Sequence, residues 1–324
     1  MQDSNKENKA PEIDAKEIPD KNTSPKKLKA GGWLEIAGFL IIFMIALKII
    51  SYISDPVRLQ KPELANPRER HISAALLEEA NSMDLIIVGD SEAMVMASPE
   101  QMMEQAGISA YNFNQLGQRM SETYFFLQEL TQKQSPQVMI LETNVFTQET
   151  TLKKEADVTL HNILLDRFTF LRYHGRWKEL WGLKEPEEFH SHKGFEPVEV
   201  IDSYDGSPYM FETDEVYHIN PITIYYLDKV VELCKEKGIS VFLVSSPSSI
   251  HMNYPKHNAI QAYADKQGLD YIDFNLMLDE LGIDWSQDTG DAGDHINKYG
   301  AEKTTNYLIE YLNENYDLPD HRND

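Results

Sequence analysis

The chain has 324 residues, 41% of them hydrophobic, which is enough for one large domain or two small ones and too apolar for a disordered chain. Its net charge is −23, and residues 1–32 hold seven lysines against six acidic residues, so the acidity lies in the remainder, where it repels phosphate backbones and points away from nucleic acid. The single cysteine, Cys234, excludes an intramolecular disulfide and a cysteine metal cluster, and is read as a core residue.

Residues 1–31 are polar and lack apolar periodicity, so a disordered tail is expected. Residues 32–53 are apolar except for charges near the two ends, with Trp33 and Tyr52 placed for the interfaces and Lys48 able to snorkel. That length spans a bilayer. A cleavable signal peptide is the competing reading, but its apolar core would be shorter and no small-x-small site follows Ile53. Lys26, Lys27 and Lys29 precede the span and Arg58, Lys61, Arg68 and Arg70 follow it, so flanking charge is nearly balanced. A short tail before a large domain reads as a single-pass signal anchor, with the tail cytoplasmic and the domain extracellular.

Residues 54–82 are expected to form a Pro-containing juxtamembrane linker followed by a helix over 67–81, with Ile72, Ala75, Leu76 and Ala80 on one face. The unbroken apolar run Leu85-Ile86-Ile87-Val88 predicts a buried parallel strand, and Gly89-Asp90-Ser91 turns it into a helix. A helical turn over 99–106, a strand over 109–113, a helix over 121–132 and a strand over 138–141 continue the alternation. The second strand ends in Asn114-Gln115-Leu116-Gly117-Gln118 and the third in Glu142-Thr143-Asn144.

Residues 145–220 break the pattern. They carry seven notable aromatics, from Phe168 to Phe195, and are read as an inserted helical subdomain or lid near the strand ends. His190-Ser191-His192 lacks a third ligand at metal spacing and reads as a surface loop. Alternation resumes with a helix over 222–237 capped by Gly238, a strand over 239–244, a helix over 258–267 capped by Gly268, a strand over 271–273 and a closing helix over 300–313. The tail, 315–324, is polar. Five strands joined by helices imply a parallel sheet covered on both faces, within a domain spanning 83–314. No internal repeat is visible.

A serine needs a base to become a nucleophile, and the base needs an orienting partner. The loop Asp288-Thr289-Gly290-Asp291-Ala292-Gly293-Asp294-His295, before the closing helix, offers both on the side of the sheet where Ser91 is expected. Ser245–Ser249 could hold a nucleophile at another strand end, but Pro247 marks a turn. Gly89-x-Ser91-x-Ala93 is close to the nucleophile elbow of α/β-hydrolases, which follows several strands rather than the first. There is no P-loop, dinucleotide fingerprint or His-Glu-x-x-His.

Gly89-Asp90-Ser91, Gly117, Asn144 and the Asp/His loop, in that order, resemble the four blocks of the SGNH (GDSL-like) hydrolase superfamily over residues 84–312. The ending from His295 to Lys303 is similar to membrane-anchored bacterial members related to the D-alanyl transfer protein of teichoic acid modification. The resemblance implies a flavodoxin-like three-layer α/β/α fold and ester hydrolysis or acyl transfer with neither metal nor organic cofactor. It implies Ser91 as nucleophile, His295 as general base, and an oxyanion hole from the Ser91 and Gly117 N–H groups and the Asn144 amide.

Two positions depart from the family pattern. Its Gly-x-Asn is Glu142-Thr143-Asn144, and the orienting aspartate's place, three residues before the histidine, is Ala292. Asp291 is favoured as orienter over Asp294, since an adjacent residue reaches its neighbour's ring only through an unusual turn; a Ser–His dyad is the third arrangement. The expected function is a membrane-anchored serine esterase or O-acyltransferase on a cell-envelope glycan or teichoic-acid-like polymer. The alternative is a non-catalytic accessory docked on a membrane-bound O-acyltransferase.

Overall fold

The computed structural model describes residues 30–322, so the tail expected over 1–31 lies almost wholly outside the described residues. Helix α1 (Ala30–Ile53) contains one stretch, Gly32–Ile53, long and apolar enough to cross a membrane. At 1.5 Å per residue it reaches about 33 Å, the thickness of a hydrocarbon core. Up to Ala46 the helix clusters as a unit of its own; from Leu47 onward the chain forms one body.

The linker leads into α2 (Arg70–Ala75), a helix much shorter than the 67–81 expected. Pro67 opens a single 3-10 turn, the α-helix stops at Leu76, and Asn81 takes a left-handed φ of 56° that a helix does not accommodate. Then follow β1 (Leu85–Gly89), α3 (Ser91–Met96), α4 (Pro99–Ala106), β2 (Ala110–Asn114), α5 (Met120–Leu130) and β3 (Val138–Glu142). The insertion comprises α6 (Asn144–Thr147), α7 (Leu152–Arg167), α8 (Thr169–Tyr173) and α9 (Trp177–Leu180). It is helical only in this first half; most of 181–219 is irregular chain, in which no apolar period sets up a helix face. The fold closes with α10 (Pro221–Lys237), β4 (Ser240–Ser245), α11 (Tyr254–Gln267), β5 (Asp270–Asp273), α12 (Leu278–Leu281) and α13 (Lys298–Asn315).

The five strands form one parallel sheet in the order β2-β1-β3-β4-β5. This is the flavodoxin-like order, in which ligands sit beyond the carboxyl ends where the strand order reverses, here between β1 and β3. Alternate residues of β1 face opposite layers. Ile86 and Val88 pack with α2, α5, α10 and α11, whereas Leu85 and Ile87 pack with α3, α4 and α13. All four are fully buried, and each contributes roughly 1.5–3 kcal/mol of apolar burial. Cys234 is buried in the first layer, as expected of a core residue.

Candidate active site

Gly89 ends β1 against the neighbouring strand: a Cβ there would stand 2.8 Å from the Glu142 Cβ and 2.7 Å from the Ala93 Cβ. The first and third strands thus approach closely at Gly89, opposite Glu142. Asp90 caps α3, its Oδ1 accepting the Glu92 N–H at 3.1 Å, and Ser91 is the first residue of that helix. The Ser91 Oγ lies 2.9 Å from His295 Nε2.

His295 comes from the loop before α13. Asp291 Oδ2 lies 2.7 Å from its Nδ1, and Asp291 Oδ1 accepts the His295 backbone N–H at 2.6 Å. Asp294 is 3.8 Å from the same Nδ1, and its Oδ1 lies 2.9 Å from His251 Nε2. The loop reaches this shape through Ala292 and Gly293, with φ of 55° and 91°. It is held from outside: the Ala292 N–H donates to the Asp202 carbonyl at 2.8 Å, and the Ser248 hydroxyl to the Asp294 carbonyl at 2.6 Å. Asn297 caps α13 while its amide donates to the carbonyls of Gln287 and Thr289, which ties the loop to the helix.

Gly117 and Asn144 stand at the ends of the two strands flanking that of Ser91, and all three line one cavity of about 450 Å³. Gly117 has φ 58° and its N–H makes no hydrogen bond among the described residues. The Asn144 amide donates one hydrogen to Asp90 Oδ2 at 2.9 Å, leaving its second. Glu142, at the motif's missing glycine, accepts the Asn144 N–H with both oxygens at 2.9 and 3.0 Å. A second, smaller cavity of about 180 Å³ reaches Ser91, Asp291 and His295 and is walled by Met94, Val95, Leu116, Val198 and Ile296.

Several participants carry no local sequence signal. Arg68, from the linker, forks onto both oxygens of Glu122 at 2.8 and 2.9 Å and donates to the carbonyls of Leu116 (2.7 Å) and Gly117 (3.2 Å). Gln148 donates to Asp90 Oδ2 at 2.6 Å. His251 was discoverable as a histidine beyond a strand end; it lines the larger cavity beside Lys256. Glu92 is buried with its Oε1 4.0 Å from His295 Nε2. Burial, reinforced by the neighbouring charges of Glu142, Asp90 and Asp294, pushes its carboxyl well above the usual range. Burial and the Asp90 charge do the same to Glu142. Asp90 is raised by burial against its hydrogen bonds from Glu92 and Gln148.

Glu92, His251, Asp294 and His295 each offer a ligand atom within 4.8 Å of the others, a donor set that suits a transition metal by chemistry. Both ring nitrogens of His295 already face Ser91 and Asp291, so an ion there would compete for the base. His190 and His192 lie with ring centroids 6.3 Å apart, each beside a glutamate, at the exposed surface. Ser245 hydrogen-bonds to Thr143 (2.6 Å) and Tyr271 (2.8 Å) between strand ends, and its hydroxyl has no imidazole partner among the described residues.

No family model matches the chain, and no curated protein matches it. Among solved structures it is similar to the psychrotrophic esterase EstA of Pseudoalteromonas sp. (12% identity, 71% of this chain and 97% of that one, TM-score 0.38). It is similar, too, to a structure described as an acylhydrolase from Bacteroides fragilis (14%, 76% and 96%, TM-score 0.39). A third is a tail fiber protein of an E. coli phage (12%, 78% and 29%, TM-score 0.35). At these values the likeness attaches no activity to this chain.

Proposed function

We propose that this chain is a membrane-anchored serine esterase or O-acyltransferase acting on a cell-envelope polymer, of the SGNH type and related to the proteins of teichoic acid D-alanylation. The observation that carries the reading is the hydrogen-bonded series Ser91–His295–Asp291, set at the reversal of strand order and bordering two cavities of different polarity.

In this reading His295 Nε2 takes the Ser91 proton as Oγ bonds to the ester carbonyl carbon, and Asp291 holds the imidazolium that forms. The negative charge on the carbonyl oxygen meets the Ser91 and Gly117 N–H groups and the free Asn144 amide hydrogen; one such donor is typically worth on the order of 100-fold in rate. The tetrahedral intermediate collapses, the C–O bond to the leaving alcohol breaks, and His295 returns its proton to that oxygen. Water or a polymer hydroxyl then repeats the sequence on the acyl-enzyme, which separates hydrolysis from transfer. The apolar walls of the smaller cavity suit the acyl group, and the larger one, with His251 and Lys256, suits a polar acceptor. The apolar helix would serve as anchor, with the domain outside the cell.

A fluorophosphonate probe tests the nucleophile: wild-type protein becomes labelled and Ser91→Ala does not. Absence of labelling in both would favour the accessory docked on a membrane-bound O-acyltransferase. Incubation with acylated and unacylated wall glycans, followed by mass spectrometry, then separates release from transfer.

A further inference from the structure

We infer that the segment from α7 to α9 is a second membrane contact, lying in the headgroup layer of an anionic bilayer beside the exit of the anchor. The inference rests on the anchor reading above.

Its first support is position. The last residues of α1, from Leu47, belong with the body and are joined to this segment. The Phe170 N–H donates to Ser51 Oγ at 3.2 Å, and Thr169 Oγ1 donates to the Ser51 carbonyl at 3.3 Å. Lys48 donates to the Arg167 carbonyl and stands 4.9 Å from the Phe168 ring centre. A span running to Ile53 therefore brings 167–170 to the membrane surface. Tyr52 is exposed there with the Arg58 guanidinium 3.9 Å over its ring, an aromatic and basic pairing suited to the interface.

The second support is what the segment shows to solvent. Trp181 is 70% exposed, Leu183 67% and Leu160 60%, with Trp177 and Leu164 also exposed. Trp177 and Trp181 lie one helical turn apart, ring centroids 5.9 Å from one another. Tryptophan presents an apolar body and a polar N–H, and headgroup depth satisfies both.

Charge is the third support. Between Leu152 and Lys184 the exposed charged residues are Lys153, Lys154, Arg167, Lys178 and Lys184 against Asp157 alone, in a protein of net charge −23. From Glu185 the chain is acidic again. A basic, tryptophan-bearing strip on an acidic body is attracted to anionic lipid at about 1 kcal/mol per basic residue near the surface.

The contact has a functional consequence. Asn162 of α7 donates to Ser121 of α5 at 2.9 Å, and Glu155 pairs with Arg119 at 3.7 Å, so the strip is fixed to the loop carrying Gly117. Docking both anchor and strip sets the height of the site above the lipid, where a lipid-linked acyl donor or polymer would be met.

The chain has four tryptophans, which makes fluorescence quenching by lipids brominated near the top of the acyl chain a direct test. The full chain is reconstituted in phosphatidylcholine vesicles with and without phosphatidylglycerol. One reporter carries Trp33→Phe and Trp285→Phe, leaving the strip's pair. The other carries Trp177→Phe, Trp181→Phe and Trp285→Phe, leaving Trp33 in the anchor. Both reporters are expected to be quenched, the strip more strongly with phosphatidylglycerol, and Lys153→Gln with Lys154→Gln and Lys178→Gln should cut that gain roughly two-fold or more. Quenching of Trp33 without quenching of the strip overturns this inference and leaves the anchor intact. No quenching of Trp33 overturns the anchor and this inference together. Strip tryptophans that escape brominated lipid yet are shielded from oxidation in native membranes mark a protein partner instead and also overturn it.

Discussion

Asp291 and Asp294 compete for one imidazole, and their distances to His295 Nδ1, 2.7 and 3.8 Å, separate them. Asp291 also accepts the His295 backbone N–H, so the same carboxylate fixes both main chain and ring. Asp294 instead faces His251. Asp291→Asn should therefore lower kcat for an activated ester on the order of 1000-fold, by removing the acceptor that fixes the tautomer, whereas Asp294→Asn should stay within about tenfold. Equal small losses in a direct comparison of kcat would instead indicate a Ser–His dyad. The sequence offered both aspartates and favoured Asp291 on reach alone. What it could not display is the left-handed turn at Ala292, since alanine carries no signal for that conformation. Glu92 and Glu142 were equally hidden, because a glutamate in a string of residues gives no sign that it will be buried beneath a nucleophile.

At the scale of elements, the loop between β2 and α5 depends on a residue about fifty positions earlier in the chain. Arg68 ties the carbonyls of Leu116 and Gly117 to Glu122, which also accepts the Gln115 amide and the Arg119 N–H. Gly117 has a φ of 58° and nothing close to where its Cβ would be; beyond Arg68, the loop is tied by the Gln118 N–H to the Gln115 carbonyl at 3.2 Å and by the Gln148 amide to the Gln118 carbonyl at 3.0 Å. Arg68→Ala should reduce kcat roughly tenfold with KM for a small ester nearly unchanged, a fraction of the loss from deleting an oxyanion donor. Arg68→Lys, which keeps the charge but not the fork, should recover only part of it. A rise in KM with kcat intact would show that Arg68 acts on binding rather than on this loop. The strands were legible because Leu85-Ile86-Ile87-Val88 and Val138-Met139-Ile140-Leu141 are unbroken apolar runs, and helix ends were legible where Gly238 and Gly268 take left-handed caps. Arg68 was not, because a contact over such a separation leaves no periodic trace; nor was the irregular chain after α9, which is positioned by bonds such as Glu196 N–H to the Met94 carbonyl.

For the whole molecule, an excess of 23 negative charges sits on a body that nonetheless buries carboxyl groups. Glu69, Glu92 and Glu142 are each held above their ordinary value chiefly by burial, and Glu69, despite nearby Arg172 and Arg68, is pushed up to about 7. A raised carboxyl pKa means that the folded chain holds a proton the unfolded chain has released. The folded state is therefore favoured most at and below pH 4.5, and the contribution is lost as pH climbs toward the folded value. For Glu69 the window runs from about 4.5 to about 7 and is worth roughly 3 kcal/mol. Urea midpoints of the full chain in detergent, taken between pH 5 and 8, should fall with rising pH in the wild type. General self-repulsion has the same sign, so an exposed control is needed. Glu310→Gln, on the outer face of α13, removes one charge without touching burial and should keep the wild-type slope. Glu69→Gln should flatten it and raise the midpoint at pH 8. Identical slopes in all three proteins would show that the pH response belongs to net charge alone, with no share from the buried carboxyl of Glu69 in the linker.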